Sequence, residues 1–149
     1  MDSSETLSVP GTADGAARVA EAVRAWSNGQ DLSADTRDRL LTVLDELLSN
    51  VVRHAAPQQP TPIEVKVSCG DGTLEARVSD EAAPFNPLLL PGPDTTSPLD
   101  SRQPGGLGVA LVKALSDDVR YERAGHRNEV TVSWRLTGDR RGTRPERKL

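Results

Sequence analysis

The hydrophobic repeat of this chain changes abruptly between Pro57 and Pro62. Before Pro57 the apolar residues recur at spacings of three and four: Ala16, Val19, Ala20, Val23 and Trp26 in one stretch, then Leu40, Leu41, Leu44, Leu47, Leu48 and Val51 in the next. After Pro62 the period is two, with Ile63, Val65, Val67 and Cys69 alternating with Glu64, Lys66 and Ser68. The first period predicts helices over about 13–28 and 33–55, each with one apolar stripe. Ser33 or Asp35 is placed to cap the second, and Pro57 bars its continuation. The second period predicts a strand with one buried face. Asp71-Gly72 then supplies a tight turn, and Leu74, Ala76 and Val78 continue the alternation as a hairpin.

The remaining segments extend this pattern. ETLSV at 5–9 reads as a short edge strand ended by Pro10-Gly11. Residues 86–104 hold five prolines and little periodicity, which predicts a long loop of the kind that is either a functional lid or disordered. A helix follows at about 107–116, then strands near 118–123 and 128–136, the last with Val130, Val132, Trp134 and Leu136 on one face. The order β-α-α-β-β-loop-α-β-β leaves one-sided helices to bury their stripes on one-sided strands. The expected fold is α+β: a two-layer α/β sandwich with a mainly antiparallel, mixed sheet and its helices on one face. No internal repeat or domain boundary is visible. The expected domain covers residues 1–137, and 138–149 is a basic tail (Arg140, Arg141, Arg144, Arg147, Lys148) expected to be solvated and disordered.

Composition narrows the function. The 149 residues suffice for one core, and at 3% aromatic content that core rests on Leu, Val and Ala. A net charge of −4 disfavours nucleic acid as a direct partner. A single cysteine, Cys69, excludes an internal disulfide and a cysteine-based zinc site, and its strand phase predicts a buried, inert thiol. His54 and His126 are too few for a histidine metal cage. With no signal pattern and no apolar run of membrane length, a cytoplasmic location without membrane contact is expected.

Three short constellations carry chemistry. Glu46, Asn50 and His54 are spaced by four, and Arg53 lies three beyond Asn50, so all four share one helix face. An amide oxygen and a carboxylate one turn apart suit a hydrated Mg²⁺ and a proton acceptor. A solvated face with i,i+4 pairs satisfies the same spacing, and His54 fits a helix-end packing role better than that of a base. Asp80 keeps the phase of Leu74, Ala76 and Val78 and so points inward, where a carboxylate needs a partner such as an adenine amino group. An Asp that starts the turn after its strand is the other reading. Gly105-Gly106-Leu107-Gly108 opens a helix, where close backbone approach and free N–H groups favour phosphate. A plain hinge is the alternative. No Gly-Lys-Ser/Thr follows, so this is not a Walker loop, and it follows a loop rather than a strand, so it is not the dinucleotide fingerprint.

With the three in this order, the chain resembles the ATPase superfamily of gyrase, the heat-shock chaperones, sensor histidine kinases and MutL, the GHKL or Bergerat-fold ATPases. The likeness spans about residues 5–136. Glu46 to Ala55 resembles the N-box, Asp80 to Phe85 the first glycine box, and Gly105–Gly108 the second. LDELLSNVVRHA, APFNP and GGLGVALVKALSDDVRYERAGHRNEVTVSW are similar to the RsbW and SpoIIAB branch, small stand-alone serine kinases that are also anti-sigma factors. The resemblance implies ATP and Mg²⁺ as cofactors, with Asn50 on Mg²⁺, Glu46 as general base toward a substrate serine, and Asp80 on the adenine amino group. It places Ala82, Pro84 and Phe85 of the first box, and Gly105, Gly106, Leu107 and Gly108 of the second, around the nucleotide. Arg53 and Arg102 become phosphate candidates and Thr131 an adenine-side contact.

The implied partners are an anti-sigma-factor antagonist as substrate and a sigma factor or other regulator, with a homodimer expected. One position departs from the pattern: where the first box has glycine two residues after the Asp, this chain has Ala82. An added Cβ there is expected to hinder positive φ and close approach, and so to weaken nucleotide binding or rearrange the turn. Two further functions stay open: a partner-sequestering module that transfers no phosphate, and a detached histidine kinase domain, against which the lack of a phospho-acceptor helix in this sequence argues.

Overall fold

The computed structural model describes residues 2–54, 61–89 and 106–136. The tail at 138–149, most of the expected lid, Arg102 and Gly105 lie outside the described residues. Those described form β1 (Ser3–Val9), α1 (Ala13–Asn28), α2 (Ala34–His54), β2 (Ile63–Gly70), β3 (Thr73–Asp80), a single 3-10 turn at Pro87–Leu89, α3 (Gly106–Leu115), β4 (Asp118–Ala124) and β5 (Arg127–Arg135). The order is the expected one, and the boundaries fall within a residue or two of it. The 3-10 turn, inside a segment expected to be loop, is an addition.

Local chemistry explains the boundaries. Thr12 caps α1 by accepting from Gly15 N at 3.1 Å. Ser33, not Asp35, caps α2: its Oγ accepts from Thr36 N at 3.0 Å. Asp35 instead pairs with Arg39 on the exposed surface. Between β2 and β3, Asp71 and Gly72 both take positive φ, 54° and 73°, as a two-residue hairpin of the primed type requires.

The sheet order is β1-β2-β3-β5-β4, and each of its pairings is antiparallel. One face is apolar and lies under the helices. Ile63, Val65 and Val67 of β2, Leu74, Ala76 and Val78 of β3, and Val130, Val132 and Trp134 of β5 share a core with Val19 and Val23 of α1 and Leu40, Val43, Leu44, Leu47 and Leu48 of α2. Each such side chain contributes roughly 1.5–3 kcal/mol when fully buried, which is how so few aromatics suffice. Trp134 Nε1 donates to Leu115 O at 2.6 Å and ties the end of α3 to β5.

The opposite face is polar, and its charges run in rows across the strands. The register aligns Lys66, Arg77, Thr131 and Arg120 in one row, and Glu64, Ser79, Glu129 and Glu122 in the next. Arg127 reaches across to Glu64 at 2.7 Å. Helices therefore cover one face, and any site between the layers opens where the apolar face ends.

Candidate functional site

That opening lies at the C-terminal end of β3. Asp80 is the last residue of β3, and strict alternation from Leu74 leaves it on the helix side, only 7% exposed. Directly across the ladder stands Asn128 of β5, 3% exposed. Asn128 Nδ2 donates to Asp80 Oδ1 at 3.0 Å, and Ala82 N donates to the same oxygen at 2.9 Å. Among the described residues nothing donates to Asp80 Oδ2, so a buried carboxylate keeps one oxygen open.

The turn after Asp80 is held by the same amide. Asn128 Nδ2 also faces the carbonyls of Ala83 at 3.0 Å and Ala82 at 3.4 Å. Its Oδ1 accepts from Tyr121 Oη at 2.6 Å, Phe85 N at 3.1 Å and Arg123 Nη1 at 3.3 Å. Arg123 Nη1 in turn donates to Ala82 O at 2.8 Å. Among the described non-glycine residues only Asp71 has positive φ. Ala82 thus keeps ordinary backbone, and the strain expected of a Cβ at this glycine position is absent.

The second half of the site lies on α2. Asn50 is 3% exposed, and its Oδ1 accepts from Arg53 Nη2 at 2.7 Å. Its Nδ2 is buried and has no partner among the described residues. Reversing the amide would set its donors against those of Arg53, so the carbonyl belongs where it is. One turn earlier, Glu46 meets α3 at Gly108. A Cβ on Gly108 would overlap Glu46 Oε1 and stand 3.2 Å from its Cδ. Glycine at 108 is what lets α3 sit this close to the carboxylate. Gly106 opens α3, with Leu107 following in its first turn, where helix N–H groups lack intrahelical partners.

Between the halves is a cavity of about 30 Å³. Asn50, Asp80, Ala82 and Phe85 line it together with His54, Ala83, Asn128 and apolar Leu47, Val51, Val78, Pro87 and Val130. The rings of His54 and Phe85 stand 4.1 Å apart at 31°, which gives His54 a packing role. Four sequence candidates therefore meet in one cavity. Glu46 and Gly108 adjoin each other one turn of α2 from Asn50, Arg53 is bound to Asn50, and Pro84 is exposed.

Thr131 does not reach the cavity. It sits one residue out of phase with Val130, on the polar face between Arg77 and Arg120. The strand residue beside Asp80 is Asn128, which sequence reasoning passed over, and the pairing of β3 with β5 is the signal that finds it.

Against known proteins, the pattern of the histidine kinase-like ATPase domain matches residues 9–134. The chain belongs to the histidine kinase-like ATPase family. Within it, the serine/threonine-protein kinase BtrW of Bordetella bronchiseptica is 29% identical over 102 residues, covering 68% of this chain and 72% of that one. The serine-protein kinase RsbW of Bacillus mycoides is 25% identical over 118 residues, covering 76% and 74%. A solved structure of the RsbU and RsbW domains of a Mycobacterium tuberculosis protein matches with a TM-score of 0.63 at 18% identity. It covers 99% of this chain, which spans about a third (34%) of that longer protein. The fold is thus the GHKL ATPase sandwich.

Two features of this family member bear on cofactors. Among the described residues no cluster of three or more His, Cys, Asp or Glu side chains is placed to hold a metal. A Mg²⁺ ion would rely on Asn50 Oδ1, waters and phosphate oxygens, all of them the oxygen ligands that this hard cation takes. Nor, among the described residues, is any helix long and apolar enough to cross a membrane.

Proposed function

We propose that this protein is an ATP-dependent protein serine kinase and anti-sigma factor, which phosphorylates an anti-sigma-factor antagonist in a cytoplasmic partner-switching system. The observation that carries the reading is the cavity with an open Asp80 oxygen at one end and the buried, half-satisfied Asn50 amide at the other. Asp80 Oδ2 is an acceptor for the adenine amino group. Asn50 Oδ1 is the protein ligand for Mg²⁺, and Arg53, bound to that oxygen, is free to turn to phosphate. Gly106 and Gly108 admit the phosphates at the start of α3. When bound, Mg²⁺-ATP supplies the phosphoryl group and the charge neutralisation its transfer needs. Glu46 takes the proton of the attacking serine hydroxyl as the new P–O bond forms and the bond to ADP breaks.

The names of the relatives favour this over a histidine kinase. The ordinary backbone at Ala82 supports a nucleotide-binding turn over a nucleotide-free module. The substrate serine would lie on a separate protein of another fold, a sigma factor or other regulator would be the alternative partner, and the kinase would act as a homodimer.

Labelled Mg²⁺-ATP with a serine-bearing antagonist tests the proposal. Wild type is expected to yield acid-stable phosphoserine. Glu46→Gln is expected to slow transfer about 10²–10⁴-fold while nucleotide binding survives. Equal transfer by both would remove Glu46 from the role of base, and binding without transfer would leave a sequestering module.

A further inference from the structure

We infer that Asn128, braced by Tyr121 and Arg123, is the positioning residue that makes this site select a 6-amino purine over a 6-keto purine. The inference rests on the reading of the cavity as an ATP site and goes beyond it, because it assigns base discrimination to residues outside the three sequence motifs.

Asp80 has two oxygens, and the protein distinguishes them. Oδ1 is filled by two donors, Asn128 Nδ2 at 3.0 Å and Ala82 N at 2.9 Å. Oδ2 has none among the described residues, and Asp80 lines the cavity. An acceptor fixed in this way rewards a donor and repels another acceptor. A carboxylate free to rotate could share its charge among waters and turn N–H groups, and would discriminate less. Rigidity at Oδ1 is therefore the source of selectivity at Oδ2, and Asn128 supplies it.

Only a primary amide fits position 128. Its nitrogen meets three acceptors, Asp80 Oδ1 and the carbonyls of Ala82 and Ala83. Its oxygen meets three donors, from Tyr121, Phe85 and Arg123. A carboxylate of the same shape would put oxygen against Asp80 and both carbonyls. Leucine would take from Asp80 Oδ1 one of its two donors and would remove the partner that Asn128 gives to the Tyr121 hydroxyl, Phe85 N and Ala83 O. The clamp also accounts for Ala82: the turn is held by side chains of β4 and β5, Arg123 and Asn128, and takes neither glycine nor positive φ.

Calorimetric binding of ATP and of inosine triphosphate, which carries a keto oxygen where adenine has its amino group, tests this in wild type, Tyr121→Phe and Asn128→Ala. Wild type is expected to prefer ATP about 100-fold. Tyr121→Phe removes one 2.6 Å hydrogen bond to Asn128 and touches nothing in the cavity. It is expected to retain ATP binding and narrow the preference about 5–10-fold. Asn128→Ala is expected to lose most of the preference, with Tyr121→Phe as the arm that stands should Asn128→Ala fail to fold.

A merely structural role would weaken both nucleotides in parallel and leave their ratio unchanged, which would overturn the inference. Wild type that binds ATP without discriminating would overturn it while leaving the ATP site intact. Wild type that binds neither nucleotide would remove both readings.

Discussion

The two ends of the cavity are built in opposite ways. At the β3–β5 end every polar atom of Asn128 is engaged, and one oxygen of Asp80 is pinned twice. At the α2–α3 end, the Asn50 Nδ2 is buried with no partner among the described residues, and Asn50 Oδ1 is held by an arginine whose own side chain is exposed. A buried amide nitrogen left unpaired costs about 1–3 kcal/mol. The first end is preorganised and the second is incomplete. A binding site gains rigidity where it must discriminate, and keeps unsatisfied groups where a charged ligand will complete them.

The sharpest way to break this contrast is Asn50→Ala. It is expected to lower Mg²⁺-dependent ATP affinity about 10–100-fold by calorimetry. Because the lost nitrogen has no partner among the described residues and the lost oxygen is bonded there to the exposed Arg53, urea unfolding without nucleotide should change by no more than about 1 kcal/mol. A large loss of stability would show that Asn50 serves the fold first. Next in size is Gly108→Ala. Its Cβ must displace the Glu46 carboxylate, the far end of a flexible side chain, so stability is expected to change by no more than about 1 kcal/mol while phosphoryl transfer falls. A variant that transfers phosphate at the wild-type rate would mean that Glu46 works from another position. The smallest effect is expected from Asp35→Ala, which removes an exposed pair with Arg39 and should cost about 0.3–0.5 kcal/mol in the same urea assay with no change in binding. A larger effect would mean that distant parts of α2 couple to the cavity.

Nearly all of the fold was legible in the sequence because its signals are local. A stripe at Leu40–Leu44–Leu47–Leu48, an alternation from Ile63 to Val78 and an Asp-Gly turn each declare themselves within a dozen residues. The inward aim of Asp80 followed from the same alternation. What escaped is what depends on non-local pairing. Nothing near residue 128 says that it stands opposite residue 80, because the β3–β5 register is set by strands far apart in the chain. The choice of Thr131 was avoidable: the alternation of Val130, Val132 and Trp134 already puts 131 on the other face. The tolerance of Ala82 was not legible, since the clamp that excuses it comes from Asn128 on the neighbouring strand β5 and from Tyr121 and Arg123 on β4 beyond it, about 40 or more positions along the chain.

That same pairing has an entropic consequence. The turns at Asp71-Gly72 and Gly125-His126 close short loops, whereas Asp80 and Asn128 are 48 positions apart. Joining distant parts of a flexible chain carries the larger loss of freedom. Here that loss is offset by the whole β3–β5 ladder, of which the Asp80–Asn128 contact is only the last rung. A ligand arriving at Asp80 therefore meets two segments already brought together, and none of its binding energy is spent on gathering the chain.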